Sequence, residues 1–484
     1  MIYKNPIIKG FNPDPSICRV DSDYYLVTSS FEYFPGIPIY HSRDLINWTM
    51  LSHCVSNPRQ LDYKIFGNSG GIWAPTIRYH NGRFYVTATV DKLGNMIMHT
   101  DDINGEWSDP VFVKMGGIDP SIYFEDDRAY YCTNENKGNS EAVTLSEINP
   151  DTGELIGEKA EIWYGTGGGW LEAPHIYKVK EWYYIFTAEG GTLHNHMVTV
   201  GRSRTLFGNY EKCPFNPLLT NRNDTSKAIQ CTGHADLIDD QNGNWYIVHL
   251  GTRPCNNIKS NLGRETFLTP IQYKDGWFYV DGCKAKIENE ININAQQENN
   301  RVFTADFTSS EFEKEWLFLN YEQVSKKSRL VLKPTENNIT FAAVRQPDIQ
   351  CCVKTVCNFS PQNNDAEAGL MVYLQSDFNY RICKRRYADG DYIVVQKCAE
   401  DFSQTIYKTK TLSSTFKFQI NADKDYYYFY CAEDNEPMKE VCRASTHFLC
   451  VEMPSRCFTG TIIGVYTIGD MAEFLYFNAN APII

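Results

Sequence analysis

The 484-residue chain has no run of Lys or Arg longer than three residues, no unbroken apolar stretch of membrane-spanning length, and no CxxC pair. The missing basic runs, with a formal net charge of -13, argue against nucleic acid and against membrane surfaces as partners, because phosphate backbones and anionic lipid would repel such a chain. A spanning helix would need about 18 or more consecutive apolar residues. No basic flank followed by an apolar run marks a signal peptide, so a cytosolic protein is expected. The sixteen cysteines are scattered and include an adjacent pair, Cys351 and Cys352; this reads as free thiols in a reducing compartment and not as a disulfide framework. No helical periodicity of any length is found, and no Asp/Asn/Gly loop of EF-hand type. Aromatic side chains are abundant instead, at 14% with 31 Tyr; they suit β-sheets and offer flat faces to sugars. At roughly 150 residues per domain the length predicts two to three domains.

Internal repeats organise the first 300 residues. One pattern recurs five times, as DPSICRVDSDYYLV from Asp14, APTIRYHNGRFYVT from Ala74, DPSIYFEDDRAYYC from Asp119, EAPHIYKVKEWYYIF from Glu172 and HADLIDDQNGNWYIV from His234. Each copy has two short apolar runs around a polar turn, which is the signature of a β-hairpin. A second piece, seen in HSRDLINWTM, HTDDINGEWSD and GRSRTLFGNYEKC, looks like the approach to an outer strand. Units of roughly 45 to 60 residues with about four strands each predict a five-bladed β-propeller. Residues 284–300 are polar and read as a linker. From Arg301 onward, alternating runs such as FKFQI, YYYFYC and TIIGVYTI predict a β-sandwich. The expected division is a propeller over 1–300 and a sandwich over 301–484, all-β throughout.

In a propeller the heads of the inner strands converge on one axial pocket. Those heads carry Asp14, the Trp73/Ala74 pair, Asp119, Glu172 and His234, with Pro13, Pro15, Pro120 and Pro174 restricting the backbone beside them. A lone acid beside proline usually caps a turn; three at matching repeat positions point to chemistry. Two carboxyl groups across one bond can hydrolyse a glycoside, one as general base on water and the other as general acid on the leaving oxygen. Glu172 follows the apolar Trp170 and Leu171, so desolvation should keep it protonated as the acid. Asp14 is then the base, and Asp119 a like charge that raises the pKa of Glu172.

The stretches NPIIKGFNPDPSI, GIWAPTIRYH, GGIDPSIYF, WLEAPHIYK, TGHADLI and LGRETFL resemble glycoside hydrolase family 43, and the propeller followed by a sandwich looks like its β-xylosidase and α-L-arabinofuranosidase members. The resemblance runs from about residue 3 to 270. It implies an inverting, exo-acting enzyme that removes terminal xylose from short xylo-oligosaccharides, with arabinose-substituted oligosaccharides as the alternative substrate. Asp base, Glu acid and Asp modulator in the family agree with the roles read from the residues. Phe31 matches an aromatic lining the terminal-sugar pocket, with Phe34 close by, and Trp73 is expected to line the pocket as well. Arg264 matches an arginine bonding sugar hydroxyls, set against an ion pair with Glu265 or another acid. His234 matches a central histidine that in some relatives binds calcium through waters; the alternative is a neutral imidazole bonded to Glu172 or to water. No cofactor is required, and calcium stays open. His194 and His196 read as pocket rim or surface. Sandwich-bearing relatives send a loop with an aromatic toward the pocket, for which Tyr466 and Phe474 are the two candidates here. Assembly into homo-oligomers is implied by the family alone. A retaining fructosidase would show an Asn-Asp-Pro-Asn head in place of Asn12-Pro13-Asp14-Pro15, and a carbohydrate-binding propeller without catalysis would not need the paired acids.

Overall fold

The computed structural model describes residues 1–137, 140–291, 296–298, 302–336, 339–434 and 436–481. The expected boundary at 300/301 and part of the expected linker lie outside the described residues.

Five four-stranded antiparallel sheets follow one another along the chain, each built from consecutive strands. Blade 1 comprises Ser16–Val20, Asp23–Val27, Gly36–Ser42 and Thr49–Val55; blade 2 starts at Ile72–His80, blade 3 at Ile118–Glu125, blade 4 at Glu172–Val179 and blade 5 at Gln230–Asp239. Each inner hairpin is closed in blades 1 to 4 by a two-residue turn whose first residue, Asp21, Asn81, Asp126 or Lys180, has a positive φ. Asp and Asn tolerate that conformation, and its twist matches the flanking strands. The second recurring sequence piece is the turn leading into the fourth strand, as in Ser42 to Thr49 of blade 1. The ring is tied shut by Ile2–Lys4, which pairs antiparallel with Glu288–Glu290.

The inner strands are bolted together at the axis. Asp236 of blade 5, fully buried, accepts hydrogen bonds from Ser16 Oγ (2.5 Å) and the Ile17 amide (2.9 Å) of blade 1, and from Arg78 Nη1 (2.8 Å) and Nη2 (3.1 Å) of blade 2. Tyr177 Oη of blade 4 also donates to it, and Arg78 Nη2 lies 3.0 Å from His175 Nδ1. A buried charge is tolerated only when paired and hydrogen-bonded, and this one unites four blades in one network.

The C-terminal part packs an eight-stranded sheet on a seven-stranded one. The strand Thr415–Ala422 buries every second residue, the period expected of a sheet with one face on the core. Trp316, Phe418, Tyr427, Phe429 and Phe477 fill the space between the sheets. All sixteen cysteines are free thiols.

Candidate active site

The site begins with a backbone device repeated in every blade. Asp14, Ala74, Asp119, Ala173 and His234 occupy the same repeat position, and all five have φ between 43° and 56°. Four of them precede proline, where the right-handed helical region is disfavoured. A non-glycine residue in the left-handed region costs about 1–3 kcal/mol and persists only where its surroundings enforce it. In blades 2 to 5 the inner hairpin register slips at this point, between Trp73 and Thr76, Ile118 and Ser121, Glu172 and His175, and Gly233 and Ala235. Such bulges re-aim side chains. The structure therefore refines the expected equivalence: Glu172 and Trp73 sit one residue before the left-handed position that Asp14 and Asp119 occupy.

Asp14 is buried and fully partnered. Arg264 Nη1 donates to its Oδ1 (2.6 Å), Ser29 Oγ donates to its Oδ2 (2.6 Å), and His234 Nδ1 lies 3.7 Å from Oδ1. Burial pushes its pKa up, but Arg264, His234 and Ser29 together outweigh burial and hold it below its ordinary value. Glu172 moves the other way: burial first, and the negative charge of Asp14 second, push it up to about 7. Asp119 is raised well above its ordinary value by burial and then by the charges of Glu172 and Asp14. The pair Glu172 and Asp119 thus retains a proton near neutral pH while Asp14 stays ionised. Desolvation, expected from the sequence, leads the shift of Glu172, but the like charge behind it is that of Asp14 and not of Asp119. Of the two apolar neighbours expected to desolvate it, Leu171 is buried, but Trp170 is 67% exposed and points out of the core.

Arg264 pairs with Asp14, not Glu265, which is held by Arg253 through two hydrogen bonds (2.7 and 2.8 Å). Its other donors reach Thr192 Oγ1 (3.1 Å) and the Phe458 carbonyl (2.9 Å), so one guanidinium joins the base to two loops. Its charge also lies 5.8 Å from the centre of the Phe31 ring. Phe31 is 2% exposed, packed against Phe11 and, at 6.5 Å, against Phe458. Trp73, partly buried, donates from Nε1 to the Ser69 carbonyl (3.1 Å), with the Arg456 guanidinium 5.8 Å above its ring.

The aromatic from the C-terminal part that meets Phe31 and Arg264 is Phe458; Phe474 is buried between the two sheets, and Tyr466 is buried on the other face of its sheet, in the cluster that includes Phe11, Phe31 and Tyr33 of the propeller, where its Oη donates to Glu367 Oε1 (3.1 Å). Two glycines let the Phe458 segment reach the propeller. A Cβ on Gly460 would fall 2.0 Å from the Leu262 carbonyl oxygen, and one on Gly263, at φ +71°, would fall 2.6 Å from that of Thr459. Phe34, for which pocket and core were even readings, is core: it exchanges backbone hydrogen bonds with Phe318 (3.2 and 2.7 Å) and packs on Tyr321 at the propeller–sandwich seam. A cavity of about 790 Å³ opens beside it, lined by Glu32, Tyr63, Tyr321 and Tyr373. None of the three site carboxylates lines that cavity, so titratable chemistry rather than volume marks the active site.

His234 is buried, and burial lowers its pKa, which leaves the imidazole neutral. Among the described residues no three His, Cys, Asp or Glu side chains gather as metal ligands. Arg264 already places a positive charge on Asp14 Oδ1. This donor set does not fit a divalent ion held directly by protein atoms. His196, expected at the rim, lies beneath the site: it is buried, its Nδ1 is 3.3 Å from the Cys231 carbonyl, and burial brings its pKa down to about 3. Ser29 was not anticipated, although the hairpin register that pairs Ser16 with Val27 extends to place it opposite Asp14.

Comparison with known proteins agrees with this geometry. The model for glycosyl hydrolases family 43 matches residues 3–278, and that of the beta-xylosidase C-terminal concanavalin A-like domain matches 297–479. The chain belongs to glycosyl hydrolase family 43. It is 34% identical to a non-reducing end α-L-arabinofuranosidase of Bacteroides ovatus, over 97% of this chain and 92% of that protein. It is 32% identical to a β-xylosidase of Bacillus subtilis, over 99% of each. The solved structure of Bacteroides ovatus xyloglucan PUL GH43B superposes with a TM-score of 0.93 at 33% identity, covering all of both chains. As a family 43 glycoside hydrolase, the protein is an enzyme acting on oligosaccharides.

Proposed function

We propose that the protein is an exo-acting, inverting β-xylosidase that releases terminal xylose from short β-1,4-xylo-oligosaccharides. The observation that carries this reading is the opposed protonation of two buried carboxyls, Asp14 held ionised against Arg264 and Glu172 pushed up to about 7. Asp14 takes a proton from a water molecule whose oxygen forms the new bond to the anomeric carbon. The glycosidic bond breaks, and the Glu172 carboxylic acid gives its proton to the departing oxygen. Arg264 and Asp119 tune these two groups, and Phe31, Trp73 and Phe458 supply aromatic surface to a sugar. The extent of likeness to the Bacteroides ovatus arabinofuranosidase favours α-L-arabinofuranoside cleavage as the second reading, served by the same pair of acids.

Hydrolysis of xylobiose followed by NMR of the anomer released first tests this, with Asp14→Ala and Glu172→Ala in parallel. The expected result is α-xylose from the wild type and loss of at least a hundredfold in kcat for each variant. Release of β-xylose refutes inversion. Turnover of an arabinofuranoside without xylobiose cleavage selects the second reading.

A further inference from the structure

We propose that Trp170 is the wall on which the leaving-group sugar rests, a pyranose ring on the reducing-end side of the scissile bond. The inference rests on the glycosidase reading above and extends it to a residue outside the acid–base pair.

Trp170 stands two residues before Glu172, and nothing in the chain covers it: its side chain is 67% exposed. Its φ of +54° is unusual for a bulky residue and carries a backbone cost. The position is built. The Gly169 carbonyl accepts a hydrogen bond from the Gly190 amide (2.7 Å). A Cβ on Gly191 would sit in ordinary van der Waals contact with the Trp170 Cγ and Cδ1 atoms, at 3.6 Å, so one side of the indole faces this loop. The next residue, Thr192, bonds to Arg264, and Arg264 to Asp14. A continuous line of contacts therefore runs from the base, through Arg264, Thr192 and Gly191, to the indole, and along the chain to the acid.

The acid defines which sugar this is. Glu172 protonates the oxygen that departs with the leaving group, so a side chain anchored just before Glu172 and projecting outward meets that half of the substrate. A xylopyranose ring has C–H-bearing faces that suit an indole. An exposed indole offers contact area at low entropic cost, because it is rigid and already in place.

The test compares two substrates: xylobiose, whose leaving group is a sugar, and β-D-xylopyranosyl fluoride, whose leaving group is fluoride. Trp170→Ala is expected to lower the ratio of kcat/KM on xylobiose to kcat/KM on the fluoride by about five- to tenfold, the scale of one aromatic contact, with the loss carried mainly by KM. Trp170→Phe, which keeps a ring, should restore most of that ratio. Fluoride departs without a proton from Glu172, so a loss on xylobiose alone that is carried by kcat would mean that Trp170 only supports Glu172; that result would overturn the proposal, and so would equal losses on both substrates, which leave the ratio unchanged. A wild-type protein that cleaves neither substrate fails earlier, at the xylosidase reading, and takes this proposal with it.

Discussion

Replacing Arg264 by methionine should move the whole pH profile of kcat/KM to higher pH. In the native site Arg264 Nη1 lies 2.6 Å from Asp14 Oδ1, and both groups are buried. With charge centres about 4 Å apart and an effective dielectric near 20, the attraction is about 4 kcal/mol. Water entering the space of the lost guanidinium recovers part of this, and the hydrogen bond from Ser29 still favours the ionised form. A clear rise in the pKa of Asp14 is expected, the direction for an acid that loses its arginine. The base must be ionised, so activity is lost as pH falls through the pKa of Asp14, and a higher pKa moves that acid limb upward. The acid must be protonated, so activity is lost as pH rises through about 7. Arg264 also lowers the pKa of Glu172, though less strongly than burial and Asp14 raise it; its removal moves the alkaline limb upward by a smaller amount. Initial rates of Arg264→Met on an aryl β-xyloside between pH 3 and pH 9 measure both limbs. An acid limb that stays in place while the rate merely scales down would refute the view that Arg264 sets the charge state of Asp14.

Other expected outcomes test the scaffold. Asp236→Asn leaves the Arg78 charge buried without its counter-ion, at a cost of about 3–5 kcal/mol, read as a lowered urea midpoint; a pairwise apolar replacement, Asp236→Leu with Arg78→Met, should recover much of that loss. Gly460→Ala places a methyl 2.0 Å from the Leu262 carbonyl oxygen and must spread the contact that seats Phe458 beside Arg264. Displacement of about 1 Å at that seam should lower kcat/KM by 10- to 100-fold with little change in thermal midpoint. A Gly460→Ala protein with full activity would show that the Phe458 segment does not shape the site.

The positions of Asp14, Asp119 and His234 were readable because a hairpin repeat marks them: the same short pattern places its head at the same point of every blade. Ser29 was readable too, through the register opposite Asp14, but it lies in a Thr-Ser-Ser run with nothing to single it out. Phe458 was not readable. It belongs to no repeat, and it reaches the site only because Gly263 and Gly460 let two distant segments touch. Tyr466 and Phe474 had equal claims as aromatics near the C-terminus; strand alternation places Phe474 between the two sheets and Tyr466 on the face turned to the propeller, where it is fully buried. His196, read as rim or surface, is buried, and Phe34 could not be assigned to pocket or core, for the same reason: short polar or apolar motifs beside the site carry no signal of which surface will cover them.

The sequence alone determined the blade count, the all-β class, the sandwich that follows and the three carboxylates, because each is encoded by local period or by exact recurrence. The tertiary structure decided the charge state of each carboxylate, the partner of Arg264, the bolt at Asp236 and the exposure of Trp170. These depend on burial and on contacts between residues as much as 250 positions apart. Burial moves a pKa through the surroundings as a whole, and no local pattern in a chain records what those surroundings will be.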